Sequence, residues 1–165
     1  METCLVINTL GTEAKGAVET VKMKYPFAKV LDTTNMNISP CVGCNHCWLK
    51  TPGVCSIRDD YEKILKSIIV SDRIILIGGT ALGFINYQLK NIVDRILPID
   101  TMMIQIVDGQ ERHVPRYDRR HSFGLLYQGD GDRAYLNRWM ARFTLNMLGE
   151  SLGAYPLSEA MEVLK

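Results

Sequence analysis

Cys41, Cys44, Cys47 and Cys55 crowd one segment of this 165-residue chain, leaving only Cys4 outside it. Two residues separate each of the first three, and Cys55 follows after seven more. Four thiolates at such short spacing can hold a [4Fe–4S] cluster. Zinc also takes four thiolates, usually from two separated pairs. Thiols left free or packed are the third reading, and a disulfide is disfavoured in a cytoplasmic setting. His46 and Trp48 lie within the segment and read as packing or surface residues rather than ligands. Elsewhere no Ser-His-Asp arrangement suggests a hydrolase, and no side chain stands out as a catalytic acid or base.

The elements that must position these residues follow from periodicity. Cys4–Asn8 is a short apolar run of the kind found in buried strands, and 13–24 carries a weak helical pattern stopped by Pro26. A second strand is expected at Ala28–Asp32, then an irregular stretch over 33–56. Asp59 and Glu62 have capping-box spacing for a helix running to about Val70. Arg73–Ile77 is the strongest strand signal, and a helix is expected over 86–97. Residues 103–114 alternate about Asp108-Gly109, a two-residue hairpin signal. A strand at 122–128, a helix at 133–148 and a weak strand at 154–157 complete the chain. This alternation predicts a single α/β domain over 1–165: a three-layer sandwich with a mostly parallel five-stranded sheet and a hairpin inserted before the fourth core strand. In such sheets ligands bind at the carboxyl ends of the strands, so the loops after Asn8, Ile77 and Gln128 are the places to look. A net charge of +1 argues against a nucleic-acid or anionic-membrane partner. No apolar run approaches a membrane span of roughly 20 residues. The acidic opening Met1-Glu2-Thr3-Cys4 is unlike a signal peptide, so a cytoplasmic protein is expected.

Three stretches carry a family resemblance. They are Ile38 through Trp48, with its three cysteines; Pro52-Gly53-Val54-Cys55-Ser56-Ile57-Arg58-Asp59-Asp60; and Gln88-Leu89-Lys90-Asn91-Ile92-Val93-Asp94-Arg95. Together they resemble the flavodoxin-like NAD(P)H-dependent FMN reductases, a group that includes the iron–sulfur flavoproteins. The resemblance implies a flavodoxin-like sheet, FMN as cofactor, NAD(P)H as co-substrate and a homodimer or homotetramer. It also assigns the three loops. In the first, Thr9, Gly11, Thr12 and Lys15 would hold the FMN phosphate, where relatives commonly have a Gly-Ser-Pro-Arg type loop. A threonine-capped turn is the plainer reading of that loop. In the second, Gly79, Thr80, Ala81, Leu82, Gly83, Phe84 and Asn86 would receive the flavin, with Leu82 and Phe84 packing on its ring. In the third, Tyr127, Gln128 and Gly129 would add a stacking ring and backbone donors, the alternative being a helix cap by Asp130 or Asp132. The four cysteines become candidate [4Fe–4S] ligands, although the last gap is longer than is typical of cluster-binding relatives.

Other polar residues read as structural. Lys90 and Asp94 form an i,i+4 pair, Asp59 and Asp60 sit at a helix start, and the basic residues from Arg112 to His121 read as a solvated arm. Flavin reduction needs no obligatory side-chain acid or base. The leading expectation is an oxidoreductase passing electrons from NAD(P)H through FMN to a small acceptor such as a quinone or free flavin. The alternatives are an iron–sulfur flavoprotein electron carrier and a flavodoxin-like binding module without FMN.

Overall fold

The computed structural model describes residues 2–165. Five parallel strands form its sheet in the order β2-β1-β3-β7-β8: β1 (Cys4–Asn8), β2 (Lys29–Asp32), β3 (Arg73–Ala81), β7 (His121–Gln128) and β8 (Leu148–Pro156). Counted along the core strands this is the 2-1-3-4-5 order of flavodoxin-like sheets. β4 (Phe84–Ile85) turns back antiparallel on β3. β5 (Asp100–Val107) and β6 (Gln110–Pro115) form the inserted hairpin, whose turn residues Asp108 and Gly109 both have positive φ.

Alternation along the central strands feeds two cores. Leu5, Ile7, Ile74, Leu76, Phe123 and Leu125 face α3 (Tyr61–Ile69), α4 (Tyr87–Asp94) and α5 (Arg133–Asn146). Val6, Ile75, Ile77 and Leu126 face α1 (Lys15–Lys24) and the C-terminal segment, which contributes Ala160, Val163 and Leu164. Both faces are covered, which is why these strands read as continuous apolar runs.

The differences from the expected elements are local. A 3-10 turn, Gly11–Ala14, precedes α1, and a one-turn helix α2 (His46–Leu49) interrupts the cysteine segment. α4 ends at Asp94, before a 3-10 turn containing Pro98. α5 ends at Asn146, and Leu148 adopts positive φ as the chain enters β8. β8 is longer than expected because it is an edge strand with two register shifts against β7, which erase a simple alternation. The Asp59–Glu62 capping box does not form. Asp59 Oδ1 accepts from Tyr61 N, while Glu62 pairs with Arg58 and Lys66.

Candidate functional site

The cysteine segment is fastened from beneath by Arg95, the residue that closes α4. Its guanidinium donates to Ser39 O (3.0 Å), Asp59 Oδ2 (2.6 Å), Ile57 O (3.4 Å) and Cys55 Sγ (3.4 Å), and lies 4.4 Å from the Tyr61 ring centroid. The Arg95 and Asp59 side chains are 1% and 2% exposed. Burial pushes the Asp59 carboxyl up, but Arg95 and the N–H groups of Ser39 and Tyr61 outweigh it and hold the carboxyl below its ordinary range. Asp59 is therefore the anchor of the segment rather than a simple helix-start residue. Arg95 escapes a reading by spacing because its partners lie 36 to 56 residues away along the chain. Its place at the end of the resembling block Gln88–Arg95 is the one signal that could have singled it out.

Cys41 and Cys44 are exposed, Cys47 and Cys55 half-buried, and all are free thiols. Burial raises the Cys47 thiol above its ordinary value, with further contributions from Cys55, Cys41 and Cys44. Cys44 Sγ lies 3.3 Å from Ser56 Oγ, and this contact and the His46 N–H lower its thiol. The four thiols are thus electrostatic neighbours, and their chemistry suits a thiolate-held cluster. Among the described residues, however, no group of three Cys, His, Asp or Glu side chains forms a metal-binding arrangement. Trp48 donates from Nε1 to Leu97 O (2.8 Å), its ring 4.8 Å from that of His113, and so packs the segment onto the hairpin.

The three loops emerge at the carboxyl edge of the sheet. In the first, Thr9 Oγ1 donates to Ile77 O (3.1 Å), and the Asn8 side chain accepts from Leu10 N and donates to Gly11 O. Thr12 and Lys15 are exposed, and Gly11 has φ +59°. Neither the 3-10 turn nor α1 has a side-chain cap. The threonine-cap reading is therefore overturned, and the start of this turn retains the N–H groups that an anion can use.

In the second loop β3 runs on to Ala81 and folds back as a tight hairpin, with Thr80 opposite Ile85 and Ala81 opposite Phe84. Leu82 stands fully exposed at the tip. Phe84 packs edge-on against Tyr135 and Trp139, at centroid distances of 5.5 and 5.1 Å. Phe84 is thus engaged by α5, while Leu82 is left uncovered at the loop tip. Asn86 caps α4 by accepting from Leu89 N. A Cβ on Gly79 would meet Asn86 Nδ2 at 2.7 Å, so a larger residue there would displace the Asn86 amide.

In the third loop Tyr127 is 5% exposed and belongs to the core, while also lining a cleft with Gln128 and Gly129. Asp132 caps α5 by accepting from Tyr135 N. The second and third loops are tied together: Thr80 Oγ1 donates to Gln128 O (3.2 Å) and Asp132 N to Gly83 O (3.0 Å). Gly129, at φ +112°, lets Thr80 approach. Two clefts flank this junction. One of about 320 Å³ is lined by Thr9, Thr33, Thr34, Tyr87, Gln88 and Asn91, among others. One of about 620 Å³ is lined by residues 127–131 and 156–158.

The basic arm is a further correction. Arg112 and His121 are buried, and His121 Nδ1 lies 2.8 Å from Ser71 O. Arg116 donates to Pro98 O and Asp100 O, so this stretch is largely packed rather than solvated. No helix of the described residues is long and apolar enough to cross a membrane.

Sheet order and carboxyl-edge loops define a flavodoxin-like α/β protein. No family model matches the chain. An iron–sulfur flavoprotein of Methanocaldococcus jannaschii is 34% identical over 97 residues, covering 59% of this chain and 45% of that protein. The match thus spans less than half of that relative's length. Solved structures share the fold at low identity. An azoreductase from Bacillus anthracis superposes with a TM-score of 0.59 at 12% identity, covering 99% of this chain and 93% of that one. An FMN-dependent NADH-azoreductase from the same species, in complex with FMN, gives 0.57 at 12% identity, over 99% and 92%. The resemblance read from the sequence is consistent with these relatives.

Proposed function

We propose that the chain binds FMN at the carboxyl edge of its sheet and acts as an oxidoreductase, with NAD(P)H as electron donor and a small molecule such as a quinone or free flavin as acceptor. The observation that carries this reading is the convergence there of an uncapped helix start, a glycine-containing hairpin and the 127–131 loop, on a sheet of 2-1-3-4-5 order. Bound FMN would supply the hydride chemistry. The protein's part is binding and orientation. Thr12, Lys15 and the N–H groups at the Gly11 turn meet the phosphate, with Gly11 letting the backbone approach and Thr9 bracing the turn on β3. Gly79, Thr80, Ala81 and Gly83 offer backbone to the ring's polar edge, and Gln128 and Gly129 close the opposite side. Asn86 holds the second loop in place. No side chain acts as a catalytic acid or base.

A second reading, a carrier with an iron–sulfur cluster on Cys41, Cys44, Cys47 and Cys55, draws on the clustered thiols and on the similarity to an iron–sulfur flavoprotein. One sample decides between them: protein incubated anaerobically with FMN, desalted, then assayed for flavin, iron and sulfide. Flavin bands near roughly 375 and 450 nm with rapid NAD(P)H oxidation by a quinone support the first reading. Stoichiometric iron and sulfide with slow NAD(P)H turnover support the second. A colourless protein overturns both. In the first case Lys15→Glu raises the dissociation constant for FMN about tenfold, as expected when a charge-assisted phosphate contact is reversed.

A further inference from the structure

A cleft of about 750 Å³ opens between α4, the β5–β6 hairpin, α5 and the cysteine segment at Cys41 and Gly43. None of its lining residues belongs to the three carboxyl-edge loops. Val93, Ile96, Leu97, Trp139, Phe143 and Met147 supply apolar walls. Arg112 and His113 supply the polar part, and each leaves a buried nitrogen without a partner: Arg112 Nε and His113 Nδ1. Arg112 is only 6% exposed. It donates to Leu145 O (2.9 Å) and, at 3.5 Å, to Gln110 Oε1, both uncharged acceptors. Among the described residues it pairs with no carboxylate. Three acidic residues, Asp94, Asp100 and Glu111, also line the cleft. Asp94 is held by Lys90, Asp100 has His113 and Arg116 as its charged neighbours, and Glu111 is exposed.

A guanidinium buried without a counter-charge is costly, and a bound anion offsets that cost. Planar bidentate recognition of a carboxylate is what a guanidinium does best. The aromatic wall beside it suits a ring: Trp139 and Phe143 stack with centroids 5.6 Å apart and planes 17° apart. We propose that this cleft binds a small aromatic carboxylate, its anionic group held by Arg112 and its ring packed against Leu97, Trp139 and Phe143.

The probe is 1-naphthoate, titrated calorimetrically into FMN-supplemented and FMN-free protein. One molecule should bind per chain, equally in both samples. The neutral analogue 1-naphthalenemethanol should bind at least about tenfold more weakly, and Arg112→Met should weaken naphthoate by a similar factor. Arg112 also supports Leu145, so Ile104→Glu provides a second variant. Ile104 is 53% exposed on the lining, and a carboxylate there repels the anion without disturbing the core. Any of four results overturns the proposal: no binding, equal binding of the neutral analogue, binding indifferent to both variants, or displacement of naphthoate by FMN. The last would place the probe at the carboxyl edge instead. Failure of FMN to bind would overturn the preceding reading alone.

Discussion

The Arg95–Asp59 pair shows how much one residue can organise. Arg95 reaches the carbonyls of Ser39 and Ile57 and the thiol of Cys55, so one buried guanidinium holds both flanks of the cysteine segment against α4. Removing one partner of such a pair leaves an uncompensated buried charge. Asp59→Asn should therefore cost about 3 kcal/mol in urea denaturation. The acid limb carries the same signature. The Asp59 carboxyl is lower in the folded state than in the unfolded chain, so its contribution is complete above the unfolded value of about 4 and disappears as pH falls through the folded value. The difference in stability between wild type and Asp59→Asn should shrink as pH falls through that window, and a difference constant with pH would contradict this account. Spacing identified Asp59 only as a helix-start residue. Its actual role depends on residues that no local pattern brings together.

At the scale of elements, the β3–β4 hairpin is the least anticipated feature. Its turn places both Leu82 and Gly83 at positive φ, +53° and +77°, the signature of a two-residue turn that favours Asn-Gly. Leucine is strained there and wholly exposed, so it contributes no packing in return. Leu82→Asn should stabilise the protein by about 0.5–1 kcal/mol, measured as a shift of the denaturation midpoint at unchanged slope. Asp108-Gly109 has the same backbone signs and was readable because alternating residues flank it. Leu82-Gly83 was not, because leucine is not a turn residue and β4 is only two residues long. The α4 and α5 caps, Asn86 and Asp132, follow ordinary capping chemistry. The helix start after β1 does not, and that departure directs attention to an anion.

For the whole molecule, the hairpin leaves Met102, Met103, Ile104 and Ile106 exposed at 53 to 69% on neighbouring positions. Apolar side chains clustered in this way mark association surfaces. Together with the homo-oligomer expected of the resembling reductases, this predicts sedimentation as a dimer or tetramer, with Ile106→Lys shifting the distribution toward monomer. A monomeric wild type at micromolar concentration would refute it.

What the sequence by itself determined is the α/β alternation, the central strands, the hairpin and the grouping of four cysteines. These rest on period and composition, which are local. Only the tertiary structure decided that Tyr127 and Phe84 pack inward, that Arg112 and His121 are buried, and that Arg95 fastens the cysteine segment. Burial and partnership depend on which distant elements meet at one place. The same residue types at the same spacing would serve a solvated arm or a cleft wall, and only packing distinguishes the two.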